Sequence, residues 1–135
     1  MPTAELQQVR NIIVGKHILV VDQDKVIREV IGDRLTSQEA KVTGIASVRD
    51  ALPELDQHNF HLVITDLYRG EEITGLDLLS YLRIRGLRIP IILISDDFRQ
   101  EDLSKAHQLG ASALAKPFKH PQLVARIRTL LLNRN

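Results

Sequence analysis

Four places in the sequence put polar side chains suited to phosphoryl chemistry directly after apolar runs. Asp22, Gln23 and Asp24 follow "HILVV", and Asp66 follows "HLVIT". Ser95 closes "IPIILIS" and leads into Asp96 and Asp97, while Lys116 follows "ASALA" and precedes Pro117. Brought together, crowded carboxylates repel one another and favour a divalent cation between them. Such a cation neutralises an incoming phosphoryl group while one carboxylate attacks phosphorus. An ammonium and a hydroxyl can hold the remaining phosphoryl oxygens. Each residue alone has a plainer use. Asp22 or Asp66 would cap a helix or sit in a turn, Lys116 would be a surface lysine, and Ser95 would bond nearby backbone. Their recurrence at the ends of successive apolar runs favours a shared site.

The elements that must position these groups are legible in the hydrophobic pattern. The runs "HILVV", "AKVTGI", "HLVIT", "IPIILIS" and "ASALA" are short, aliphatic and mostly continuous, as strands covered on both faces should be. Between them, Val26, Ile27, Val30, Ile31 and Leu35 form a stripe at helical spacing. Val48, Ala51, Leu52 and Leu55 form a second, with Ser47 as its N-cap and Pro53 expected to kink or shorten it. Leu76, Leu79 and Leu82 form a third, ending near Gly86. The fourth, over about 99–109, has only Leu103, Ala106 and Leu109 and stops at Gly110; Leu123, Ile127, Leu130 and Leu131 make the last. A strand–helix pair repeated five times predicts an α/β fold, a doubly wound parallel sheet of five strands with helices on both faces. Functional groups then gather at the carboxyl ends of the strands. Residues 1–15 stand outside the repeat as an N-terminal extension, with residues 16–135 forming the domain. In the extension Leu6, Val9, Ile12 and Ile13 are spaced for an amphipathic turn or two, and a disordered leader fits the same residues equally well.

Composition bounds the alternatives. The chain has 135 residues, 44% hydrophobic and 26% charged, which suits one soluble domain with a real core. A net charge of +1 gives no case for nucleic acid as a partner, and no run is long enough to span a membrane. There is no cysteine, so thiol chemistry and disulfides are excluded. The five histidines show no metal-ligand spacing and read as solvated. These features predict a cytoplasmic domain.

At "ILVVD" with its acidic cluster, "LVITD" with the later Gly75-Leu76, "PIILIS" and "KPF", the chain resembles the receiver domain of two-component response regulators. The resemblance runs from about residue 16 to the end and implies the flavodoxin-like receiver fold. By position, it makes Asp66 the phospho-accepting aspartate, Lys116 the lysine that contacts the phosphoryl group, with a cis bond to Pro117, and Ser95 the switch hydroxyl. It makes Asp22 the first acid of the pair that organises Mg²⁺ and Tyr68 the residue whose backbone carbonyl ligates the ion. The implied partners are a histidine kinase or phosphotransfer protein and a downstream output protein, with a homodimer also compatible.

Several positions depart from the family pattern. Gln23 stands where the second acid, normally the direct metal ligand, is expected, which predicts weak Mg²⁺ binding. Asp24 then falls where a residue caps the first helix. Asp96 replaces the small residue after the switch hydroxyl, and "DLYRGEEITG" is one residue longer than the common loop. "GASALAKPF" is one residue short and has Ala113 and Leu114 where the aromatic switch residue is expected. Without that ring, the signal is expected to pass from Ser95 to the start of the fourth helix.

Two readings follow: a phosphoacceptor receiver signalling through the face made by the fourth helix, fifth strand and fifth helix, or a phosphorylation-independent pseudo-receiver serving as an interaction module. No output domain fits in this chain beside a receiver, so its action is expected to run through partners or a longer protein. "DQDK" also resembles the nucleophile motif of haloacid-dehalogenase-type phosphohydrolases. That family needs further acids after its lysine, and residues 117–135 contain no Asp or Glu. The domain is therefore read as not an enzyme.

Overall fold

A computed structural model describes residues 12–132. Its strands are β1 (His17–Val21), β2 (Lys41–Ile45), β3 (Leu62–Asp66), β4 (Ile91–Ser95) and β5 (Ser112–Ala115). They alternate with α1 (Lys25–Thr36), α2 (Val48–Gln57), α3 (Gly75–Ile84), α4 (Gln100–Gln108) and α5 (His120–Leu132). The strands pair in parallel in the order β2-β1-β3-β4-β5, the doubly wound α/β arrangement expected from the pattern.

Continuous apolar runs suit the inner strands β1, β3 and β4, which are buried on both faces. The edge strands β2 and β5, expected to be covered likewise, are largely half-buried or exposed because each has a neighbour on one side only. Ile18 and Val20 of β1, Ile64 of β3 and Ile92 and Ile94 of β4 face one core with Ile31 and Leu35 of α1 and Leu123 and Ile127 of α5. Leu19, Val21, Val63, Ile91 and Leu93 face the other, with Val48 and Ala51 of α2, Leu78, Leu79 and Leu82 of α3 and Ala106 of α4. Of the extension, Ile13 is fully buried in the first core and Ile12 packs against it, so the domain's packing begins before residue 16. Leu6 and Val9 lie outside the described residues.

Local signals act as their chemistry requires. The Asp24 carboxylate accepts the N–H groups of Val26 and Ile27 and so caps α1. Ser47 caps α2 by accepting from Asp50 N, and Thr74 with Asp77 forms a capping box on α3. Pro53 sits inside α2 and leaves the carbonyl four residues earlier without its helical donor; the helix ends at Gln57.

Three expectations need correction. The α1 stripe is not wholly buried: Val26 is 69% and Val30 48% exposed. Both lie in the first turns of α1 and line the cleft beyond the strand ends. In α4 the predicted apolar Leu103 is partly exposed, while a charged residue, Asp102, is buried. Nor is His17 solvated. Its ring centroid lies 4.2 Å from that of Phe60, its Nε2 shares a 2.7 Å hydrogen bond with Thr43 Oγ1, and its backbone N–H donates to His61 Nδ1.

Candidate functional site

The strand order reverses direction at β1, since β2 lies on one side of it and β3 on the other. Open α/β sheets form their crevice at such a point. Register sets the depth: Val21 pairs with Thr65, Asp66 with Ile94, and Ser95 with Ala115. Asp22, Asp66, Ser95 and Lys116 therefore emerge within about one residue of the same level. A cleft of about 690 Å³ opens above them, bounded by α1 and by the loops after β3, β4 and β5.

The cleft's floor is an ion cluster. Lys116 Nζ lies 2.8 Å from Asp22 Oδ2 and 2.7 Å from Asp66 Oδ1, so one ammonium bridges both acids. Asp22 is only 1% exposed, and a buried carboxylate beside the half-buried Asp66 would be costly without that cation. Burial pulls the Lys116 ammonium toward losing its proton; the hydrogen bonds and charges of Asp22 and Asp66 outweigh it, and the pKa ends above the ordinary lysine value. The remaining oxygens have separate tasks. Asp22 Oδ1 accepts Asp24 N–H at 2.9 Å, and Asp66 Oδ2 accepts Tyr68 N–H at 2.7 Å. The peptide bond between Lys116 and Pro117 is cis, as expected.

Ser95 is buried at the end of β4, and its Oγ accepts Asp97 N–H at 3.0 Å. Tyr68 has a left-handed backbone, φ 54°, uncommon for a bulky residue. Its buried ring sits in the second core, and its hydroxyl donates to the Ala46 carbonyl, tying the loop after β3 to the loop after β2. Burial, then the Asp22 and Asp66 charges, raise its phenol well above the usual value, so it stays a neutral donor. Gly75 explains the glycine in the motif after Asp66. A Cβ there would lie 2.5 Å from the Asp66 carbonyl oxygen, so only glycine lets α3 start against the end of β3.

The structure thus gathers Asp22, Asp66 and Lys116 in direct contact, with Ser95, Gln23 and Tyr68 around the same cleft. Gln23 is exposed at the rim. Among the described residues no three acids or histidines form a metal-holding group. The two carboxylates converging on one cation nonetheless fit a hard divalent ion, with the Gln23 amide and Tyr68 carbonyl as neutral oxygen donors.

Three contributors escaped the sequence reading. Arg28 of α1 runs over Gly44 of β2 and donates to the Asp22 carbonyl at 2.6 Å, fixing the loop that carries the acids. Arg69 and Asp102 join the loop after β3 to α4. A helical or loop arginine has no sequence signal for such reach; its partners lie 6 to 33 residues away.

The fold and this cleft define a small doubly wound α/β domain with a charged crevice at the carboxyl ends of its strands. The chain belongs to the response regulator receiver domain family, whose model matches residues 18–128. It is accordingly a receiver domain of two-component signalling. Among named relatives it is 39% identical over 118 residues to the regulatory protein VirG of Agrobacterium tumefaciens (strain 15955), covering 86% of this chain and 43% of that protein. It is 36% identical over 121 residues to VirG of Rhizobium rhizogenes, covering 88% and 49%. The chain spans less than half the length of these curated relatives. Among solved structures, a response regulator receiver protein from Pseudomonas putida superposes with TM-score 0.77 at 29% identity, over 86% of this chain and 98% of that one. The Vibrio cholerae chemotaxis protein CheY4 superposes with TM-score 0.78 at 23% identity, over 87% and 100%, a likeness of fold. Receivers of this family typically bind Mg²⁺ and work with histidine kinases. Among the described residues no helix is long and apolar enough to cross a membrane.

Proposed function

We propose that this receiver is a phosphoacceptor: Asp66 takes a phosphoryl group from a histidine kinase or phosphotransfer protein and signals through the face formed by α4, β5 and α5. The observation that carries the reading is the bridge from Lys116 to Asp66 and Asp22, an ammonium already in contact with the oxygen that would become phosphorylated. A carboxylate oxygen of Asp66 forms a bond to phosphorus as the phosphorus–nitrogen bond of the donor phosphohistidine breaks, and the imidazole leaves with the electron pair. Mg²⁺, held by Asp22, Asp66, the Tyr68 carbonyl and the Gln23 amide, would offset the charge building on the phosphoryl oxygens. Lys116 keeps its proton and holds one of those oxygens. Val26 and Val30, exposed at the cleft's mouth, offer an apolar landing for a donor helix. The named relatives are regulatory proteins more than twice the matched length, so the output of the whole protein is proposed to run through a partner or a further segment.

A competing reading, favoured by Gln23, is a pseudo-receiver used as a docking module without phosphorylation. Intact-mass measurement after incubation with acetyl phosphate and Mg²⁺ separates the two. One phosphoryl adduct is expected, labile to hydroxylamine, and absent from Asp66→Asn. Labelling that persists in Asp66→Asn would remove the acceptor assignment, and an unlabelled native chain would favour the docking module.

A further inference from the structure

The loop after β4 is pinned from two sides. The Ser95 hydroxyl oxygen accepts Asp97 N–H at 3.0 Å, and the Arg69 guanidinium donates through Nη2 to the Asp97 carbonyl at 2.9 Å. The same Nη2 pairs with the carboxylate of Asp102, which is 6% exposed in the first turn of α4. Asp102 also accepts the N–H of Arg99 at 2.9 Å, so it closes the N-terminus of α4 while holding Arg69. Arg69 thereby links the acceptor loop, three residues past Asp66, to the start of a helix whose buried residues are only Asp102 and Ala106. In place of an apolar stripe, α4 has an electrostatic anchor.

That anchor faces the reacting centre. Arg69 lines the same cleft as Asp66, Ser95 and Lys116. Its Nε is buried, makes no hydrogen bond and stands 3.9 Å from the Asp97 carboxylate. A guanidinium with an unspent donor beside an acyl phosphate is matched to it in charge and planar geometry.

We propose that Arg69 is a charge-operated latch between the acceptor loop and α4. With Asp66 free, the guanidinium holds Asp97 and Asp102 and keeps the first turn of α4 closed. A phosphoryl group on Asp66 places a new anion in the cleft, competes for the guanidinium and draws it off Asp102. The Ser95 hydroxyl, turning to the same phosphoryl group, gives up Asp97 N–H, so both ties on Asp97 loosen together. Asp102 is then a buried carboxylate without its cation, and the first turn of α4 opens to hydrate it. This supplies the coupling that an aromatic on β5 would carry, using residues on β3, β4 and α4. The inference rests on the phosphoacceptor reading above.

The test uses beryllofluoride with Mg²⁺ as the phosphoryl mimic, its affinity read by fluorine NMR and α4 opening by amide hydrogen exchange over residues 97–108. In the native chain the mimic should speed exchange over 97–103. Asp102→Asn keeps an oxygen for Arg99 N–H but removes the charge that holds Arg69. It should exchange faster there without the mimic, and because less must be broken on binding it should bind the mimic several-fold more tightly. Arg69→Gln should loosen the same turn yet bind several-fold more weakly, with Arg69→Lys in between. A purely structural anchor would loosen α4 in both variants without splitting their affinities in opposite directions. Equal or weaker binding by Asp102→Asn, or native binding with 97–103 unchanged, would overturn the latch alone. A native chain that binds no mimic would overturn the phosphoacceptor reading and the latch with it.

Discussion

Gln23 places a neutral amide in the cleft beside Asp22 and Asp66. The two neighbouring acids each give one oxygen to Lys116, and the position that would add a third anion carries a neutral amide at the cleft's rim. One further charge contact with a divalent ion in a partly solvated site is worth on the order of 1–4 kcal/mol, which is about fivefold or more in affinity. Gln23→Asp should therefore raise Mg²⁺ affinity at least about fivefold by titration calorimetry and speed labelling by acetyl phosphate. No gain would mean that another oxygen in the cleft already serves as the ligand. Lys116 gives a complementary expectation. Lys116→Met leaves Asp22 and Asp66 facing each other with no cation, and removing one partner of a buried pair typically costs about 3–5 kcal/mol. A drop of that order in urea-unfolding free energy, partly restored by added Mg²⁺, is the expected outcome.

At the scale of elements, the junction of β3 with α3 is closely packed. The first residue of α3 passes so close to the end of β3 that a methyl group at Gly75 would meet the Asp66 carbonyl oxygen at 2.5 Å and Leu93 Cδ2 at 3.1 Å. Backbone cannot yield as a flexible side chain can, so Gly75→Ala must shift α3 or the acceptor loop. Overpacking of this kind typically costs about 1–3 kcal/mol. Because the displaced atom belongs to Asp66, the variant should lose labelling rate beyond what its loss of stability explains. A variant that is destabilised but labels at the native rate would show that α3 gives way while the acceptor stays in place. The opposite case is α4, which adds an ion pair at its first turn to the single buried apolar residue Ala106, so its exchange protection should fall as salt rises more than that of α3.

Across the whole molecule, acid sensitivity sits in two histidines at opposite ends of the sheet. The carboxyl end carries the ion cluster; the amino end carries His17, packed on Phe60 with His58 and His61 nearby. Burial, then the charges of Lys41, His58 and His61, lowers the His17 pKa from 6.5. Burial and Arg34 lower that of His120 from the same value. A histidine harder to protonate folded than unfolded makes the unfolded chain bind more protons as pH falls through about 6.5. Stability should thus be full above pH 7 and decline below about 6.5, until the lower folded pKa values are reached. Urea midpoints at pH 7.5 and 5.5 test this, and replacing both His17 and His120 by Gln should flatten the difference. An unchanged pH slope in the double variant would place the acid sensitivity elsewhere.

Sequence alone determined the alternation of strand and helix, because strands buried on both faces read as unbroken aliphatic runs and helices as stripes. It also brought Asp22, Asp66, Ser95 and Lys116 to one edge, since in a parallel sheet every strand presents its carboxyl end to the same side. Asp24, Ser47 and Gly110 marked helix ends through local hydrogen bonding and backbone freedom, which need no distant partner. What escaped were three other ties made across space: Arg28 over Gly44 to the Asp22 carbonyl, the Tyr68 hydroxyl to Ala46, and Arg69 to Asp102. The outward-facing Val26 and Val30 escaped as well, since a stripe shows that one face of a helix is apolar but not where the sheet beneath it ends. Long polar side chains choose partners by proximity after the chain has folded, and burial depends on what neighbouring elements cover. Those two properties exist only in the tertiary structure.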